Sequence, residues 1–241
     1  MDGRLYTYDS NGFTRQYTVM QAAEKLGVSR QAIGHLIRAG ELDAFRTAGN
    51  AYLIDSASLN EYERLSRGRG RPLSSRSAWA ALWYLSNLEV NWLTYQQERR
   101  LKINLASIAT EDFLWAIRKR ATSVRLWVDE SFLTKAKDSL VISGASAEGS
   151  SLFGLTTHSN YLEGYIAESQ VADFIKTFHA DYHDDANTLL RVTGDGAPHS
   201  ILAGREMPSA VVAADLASSS VSREQSAGLE VLEELFVDWR N

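Results

Sequence analysis

Apolar residues recur along this chain in two rhythms, and the change between them divides it. In YTVMQAAEKLGVSRQAIGHLIRAGEL they return every three or four positions. Thr18 with Gln21 forms a capping box, Met20, Ala22, Ala23 and Leu26 make an apolar stripe, and Gly27 stops it, which predicts a first short helix. Ser29 offers the next N-cap, and Ile33, Leu36 and Ile37 line one face of a second helix ended by Gly40. A turn of only Gly-Val-Ser makes the two apolar faces meet steeply, with Val28 as the plug. Arg30, Gln31, Gly34, His35 and Arg38 are then outward on the second helix. In LDAFRTAGNAYLID the rhythm becomes an alternation broken at Gly49 and Asn50, the pattern of a two-stranded wing. Ser58 with Glu61 is expected to cap a third helix, LNEYERL, which closes the unit near Leu65.

Beyond the stretch RGRGRP, Arg67 to Pro72, the pattern changes twice. Ser77 to Ser86, Thr94 to Leu105 and Thr110 to Arg120 read as three helices, each opening on Ser or Thr. From Val124 onward, β-rich runs (RLWV, SLFGLT, YLEGYIA, TLLRV and AVVAAD) alternate with the helical ESFLTKAKDS and SQVADFIKTFHA, which predicts a small α/β layer. The final stretch, SREQSAGLEVLEELFVDWRN, predicts a helix capped by Ser222 with Gln225. Its stripe of Leu229, Leu232, Leu235, Phe236 and Trp239 must pack on something. The expected fold is mostly α plus α/β: an N-terminal winged helix-turn-helix, a helical middle, and a small C-terminal α/β (α+β) domain. The expected boundaries are 1–66 for the first unit, 67–76 for an Arg/Gly-rich linker and 77–241 for the remainder.

Composition sharpens this division. At 241 residues and 44% hydrophobic content, the chain can bury a sizeable core. It has no cysteine, which excludes disulfides and thiolate metal sites. No window approaches the run of apolar residues that a membrane helix needs, so the expected location is cytoplasmic, with no membrane partner. The net charge of -5 is uneven: residues 1–77 hold 11 Lys+Arg against 8 Asp+Glu, and residues 78–241 hold 14 against 22. An anionic partner is therefore expected for the front only. All six tryptophans follow the linker, at 79, 83, 92, 115, 127 and 239, where most are expected in a core.

Two further motifs carry chemistry, each with a plainer alternative. Arg69-Gly70-Arg71-Pro72 has the chemistry of a segment lying extended in the minor groove of A/T-rich DNA, and equally that of a hydrated linker. His179 and His183 lie four apart beside Asp184 and Asp185, a spacing that lets imidazoles and a carboxylate approach one metal ion, although the same residues are often merely solvated at a helix end. No catalytic residue, metal site or cofactor is expected from the sequence.

Residues 16–65 resemble the winged helix-turn-helix of the excisionase family, a relative of the mercuric-resistance regulators. The resemblance rests on the AAEKLGVS turn, the Arg38-Ala39-Gly40-Glu41-Leu42 exit, and the strand-turn-strand ending in Ile54-Asp55. It implies that the second helix enters the major groove and the wing touches the backbone. By position, Ser29, Arg30, Gln31, His35 and Arg38 would meet double-stranded DNA, with Arg46 on the wing and Arg69 and Arg71 in the linker beside them. Here the wing departs from the family, because Ala48-Gly49-Asn50-Ala51 is neutral where family wings tend to be basic. The whole chain is similar, through short scattered stretches such as EGYIA, LLRV and SREQSAGLEVLEEL, to actinobacterial antitoxin-like regulators paired with nucleotidyltransferase toxins of the abortive-infection type. That similarity implies a non-enzymatic, autoregulatory transcription regulator whose back half binds or counters a toxin. A homodimer is a further partner left open. Two alternatives stand beside this reading: an excisionase-like recombination directionality factor, and a metal-dependent nuclease using His179 and His183.

Overall fold

The computed structural model describes residues 16–39, 41–47, 49, 51–66, 71–147, 160–181, 186–194, 196–198 and 206–241. The front unit is built from β1 (Gln16–Thr18), α1 (Val19–Leu26), α2 (Arg30–Arg38), β2 (Ala44–Arg46), β3 (Tyr52–Asp55) and α3 (Ser56–Ser66). Thr18 and Gln21 cap α1 reciprocally, and Ser29 caps α2 by accepting from the Ala32 amide at 3.1 Å. Gly27 sits at φ 66°, the left-handed region that lets the chain leave α1 and re-enter a helix three residues later. Ala22, Ala23, Ile33, Leu42, Ile54 and Leu59 form the core, and the two alanines let α2 cross α1 closely.

Four sequence expectations are corrected in this unit. Met20 is 63% exposed and Val28 40%, so neither belongs to the core: the small alanines, not a plug in the turn, set the approach of α1 and α2. The wing is three-stranded, since β1 pairs with β3 antiparallel from Gln16↔Asp55 to Thr18↔Leu53, while β2 pairs with its other edge from Ala44↔Ile54 to Arg46↔Tyr52. Asp55, not Ser58, supplies the carboxylate at the start of α3, accepting from the Ser58 amide at 2.8 Å. The Ser58 hydroxyl is turned instead to the Asp43 amide, 2.9 Å away. Gly40 and Asn50 lie outside the described residues.

The second body begins earlier than expected. Leu73 already packs on its core, its amide donates to the Ala116 carbonyl at 2.8 Å, and α4 (Ser75–Leu85) starts from the Ser74 cap. α5 (Tyr95–Ser107) opens on a Thr94–Gln97 capping box. α6 (Thr110–Ile117) ends in a 3-10 turn over Arg118–Arg120. The chain then runs through β4 (Thr122–Leu126), α7 (Glu130–Lys137), β5 (Val141–Ile142), β6 (Leu162–Ala167), α8 (Val171–Phe178), β7 (Thr188–Thr193), α9 (Ser209–Ala217) and α10 (Ser222–Arg240). The four strands lie in the order β4-β7-β6-β5. β6 and β7 are parallel, joined through α8 as parallel neighbours must be, and the other pairs are antiparallel. α7 and α8 cover one face with Leu133, Phe174 and Phe178 against Leu126, Leu162 and Leu190. On the other face Tyr165 and Val141 join the larger core made by α4, α6, α9 and α10. The architecture is α+β, as the sequence predicts.

AVVAAD, expected as a strand, is the middle of α9. Eight of its nine residues are buried, so the helix is apolar almost all round and shows no one-sided period to distinguish it from a buried strand. α10 crosses it closely: a Cβ on Gly228 would fall 2.3 Å from the Ala217 nitrogen. The Ser222–Gln225 box does not form, because α10 starts from Val221 without a side-chain cap. Its apolar stripe packs as expected, with Leu232 and Phe236 buried. Trp79, Trp83 and Trp115 are core residues, whereas Trp127 is 39% exposed. SLFGLT lies outside the described residues.

Between the sheet and α9 lies a buried ionic group. Asp215 on α9 meets Arg120 at 2.6 Å and Arg191 at 3.2 Å, and Arg191 meets Glu163 at 2.6 Å. Tyr165 donates to Asp215 at 2.9 Å and Ser143 to its other oxygen. Two cations against two anions leave the group neutral, which makes its burial tolerable. Burial pushes the Tyr165 phenol above its ordinary range, and the nearby Asp215 charge adds to this.

Candidate nucleic-acid interface

Helix α2 carries its buried side on Ile33, with Leu36 and Ile37 packed beside it. Arg30, Gln31, His35 and Arg38 are exposed, and none is engaged by another side chain of the described residues. The helix sequence RQAIGHLIR has no acidic residue. Gly34 lies among these polar side chains: a Cβ there would meet only the Arg38 guanidinium, at 3.8 Å. The result is a low, cationic, hydrogen-bond-rich face with a flat centre. A face of this width, bearing Arg, Gln and His, suits the major groove, where Arg pairs with guanine and Gln with adenine edges.

The other predicted contacts are placed differently. Ser29 accepts the α2 capping bond on its hydroxyl oxygen, which leaves its O–H and one lone pair for an outward partner. Arg46 lies on the wing, stacked 4.9 Å over the Tyr52 ring while donating to the Tyr52 hydroxyl at 2.9 Å. Tyr52, which the sequence reading passed over, thus fixes the wing arginine; its signal was the cross-strand register Arg46↔Tyr52. Arg71 is exposed at the entry to the second body, whereas Arg69 lies outside the described residues. His179 sits at φ 47° just after α8, and His183 lies outside the described residues.

Behind α2, the front unit is docked on the second body. Glu41, three residues past α2, receives Arg118 at 2.8 Å on one oxygen and Lys119 at 3.0 Å on the other. Desolvation raises the Glu41 carboxyl, but the hydrogen bonds from Arg118 and Lys119 outweigh it and hold the group below the ordinary carboxylate range. Arg118 also lies 3.2 Å over the Trp115 ring, and Tyr62 of α3 meets that ring edge-on at 5.5 Å. Asp55, at the end of the wing strand, pairs with Arg125 of β4 at 3.3 Å. Desolvation in this seam pushes the Asp43 carboxyl up to about 7, against the pull of Arg125. A polar cavity of about 260 Å³ remains beside it, lined by Glu61, Arg64, Arg125, Tyr161, Arg191 and Gln225.

Comparison with known families falls on the same residues. Residues 17–64 match a helix-turn-helix domain. A search of curated proteins finds no match, and neither does a search of solved structures. The helix-turn-helix domain spans α1, α2, the wing and most of α3, so its second helix is the one whose outward face is free. The chain therefore carries a DNA-binding type of module at its front, and among the described residues no helix is long and apolar enough to cross a membrane.

Proposed function

We propose that the protein is a sequence-specific transcription regulator that reads an operator through α2 and acts as an autoregulatory antitoxin. The observation that carries the DNA-reading part is the free face of α2: Arg30, Gln31, His35 and Arg38 project from one acid-free helix inside a matched helix-turn-helix domain. Arg46, held by Tyr52, would rest on phosphate. The antitoxin part is supported by the scattered sequence resemblance of the back half, which would bind or counter a toxin and leave catalysis to that partner.

One experiment tests both parts. Tagged protein is captured from its own cells with bound DNA and co-purifying chains, and the protected DNA is mapped. The expected result is a site upstream of the protein's own gene together with one stoichiometric protein partner. Random protection across the genome would sink the operator reading. Direct repeats at a recombination site would favour the directionality factor, and a cleavage activity dependent on His179 and His183 would replace the antitoxin reading with the nuclease.

A further inference from the structure

The outward faces of α5 and α10 carry opposite charges and have no charged partner among the described residues. On α5, Leu101 and Leu105 face the core. Helical spacing puts Arg99, Arg100 and Ile103 on the other side, with Tyr95 at its edge. Ile103 is 62% exposed and Tyr95 78%. On α10, Gly228, Leu232 and Phe236 face the core. Glu230, Glu233, Glu234 and Asp238 face outward with Val237, which is 57% exposed. Among the described residues, no side chain forms an ion pair or hydrogen bond with Arg99, Arg100 or these four acids. Lys102, by contrast, is committed to Glu98 at 2.7 Å. The two helices meet at their C-terminal ends: Arg240, at the end of α10, donates to the carbonyls of Leu105 at 3.0 Å and Ile108 at 2.7 Å, at the end of α5.

We propose that these stripes form a homodimer interface in which α5 of each copy meets α10 of the other. In a two-fold dimer one patch faces itself, so a patch that is basic on one side of the axis and acidic on the other meets opposite charge twice. Ile103, Tyr95 and Val237 supply the apolar contacts between the charged rows. Other occupants fit worse. Nucleic acid drawn to Arg99 and Arg100 is repelled by the acids of α10, and a basic partner drawn to α10 is repelled by α5. A second copy matches both stripes at once. The inference rests on the second body alone and stands whether or not the front reads DNA.

Sedimentation equilibrium of the full chain across a salt series tests it. The expected result is a dimer whose dissociation constant rises with salt. Arg99→Glu with Arg100→Glu, and separately Glu233→Lys with Glu234→Lys, should each raise that constant about tenfold or more by placing like charges opposite each other. Mixing the two variants should restore a dimer, because the acidic α5 of one copy then meets the basic α10 of the other at one contact, and the unchanged basic α5 meets the unchanged acidic α10 at the second. Recovery on mixing cannot come from damaged folding. The single reversals Arg99→Glu and Glu234→Lys serve the same mixing test should a double variant melt early. A monomer at about 0.1 mM in low salt, a dimer indifferent to both reversals, or variants that fail to recover on mixing would overturn the proposal.

Discussion

Removing the Glu41 carboxylate asks whether the front unit is truly docked on the second body. In Glu41→Ala, Arg118 loses a charged hydrogen bond of 2.8 Å in a setting where the side chains of both partners are only 13–14% exposed. Such a bond is worth about 1.5 to 3 kcal/mol. The Lys119 pair is more open, with the lysine side chain 40% exposed, and adds less than about 1 kcal/mol. Arg118 keeps its seat on Trp115, which offsets part of the loss. The net expectation is about 2 kcal/mol, which for a chain of this length lowers the melting temperature by about 4 to 8 °C. Calorimetry at neutral pH reads the shift, and a double-mutant cycle with Arg118→Ala should return about 1 to 2 kcal/mol of coupling. The pH dependence supplies a second check. Because the folded-state carboxyl lies below its ordinary range, its contribution is present above the unfolded pKa and is lost as pH falls through the folded one. Wild type and variant should therefore converge in acid. Additivity within about 0.3 kcal/mol at neutral pH would mean that the front unit swings free of the second body, and the docking argument would fail.

Three further expectations follow from other sites. Asp43 has the opposite sign from Glu41: its carboxyl is raised to about 7, so its contribution is favourable below the unfolded pKa and is lost as pH rises towards 7. Asp43→Asn should accordingly flatten the fall in melting temperature between about pH 4 and 7, and an unchanged slope would contradict the desolvation argument. Gly228→Ala sets a helix-propensity gain of about 1 kcal/mol against a Cβ placed 2.3 Å from the Ala217 backbone nitrogen, so a net loss of about 1 to 2 kcal/mol is expected in denaturant melts, and a more stable variant would show that α9 and α10 can separate cheaply. Arg30→Ala should cost about 1 to 3 kcal/mol of discrimination between operator and random DNA, whereas Arg46→Ala should weaken both alike; equal losses for Arg30→Ala in fluorescence anisotropy would remove it from base readout.

What the sequence made legible was what neighbouring residues decide. The Thr18–Gln21 box, the Ser29 cap and the Gly27 exit are interactions across three or four positions, and each formed as predicted. The burial of Ile33 and the exposure of Gln31, His35 and Arg38 follow from the same period. The misreadings arose where tertiary packing overrides that local grammar. β1 is only three residues long and exists because β3 offers it an edge. Val28, apolar and in the turn, had no local reason to be exposed. α9 reads as a strand because burial on all sides erases its period. The seam of Glu41, Asp55, Arg118 and Arg125 joins positions dozens of residues apart, and the Arg120–Asp215 pair spans 95 positions, so neither leaves a sequence signature.

The place of Asp215 has a consequence for how the chain is made. Arg120 and Arg191 are synthesised before it, and until α9 emerges the sheet and the helices around it hold two guanidiniums with only Glu163 between them. A growing chain that closed its core at that stage would enclose an uncompensated cation, so closure must wait for the helix that brings the counter-charge. Ribosome-bound chains halted before Asp215 should remain open to protease across β4 to β7, and chains halted after α10 has cleared the exit tunnel should not. Birth order thereby makes one aspartate, late in the chain, the group whose arrival lets the sheet close against its helices.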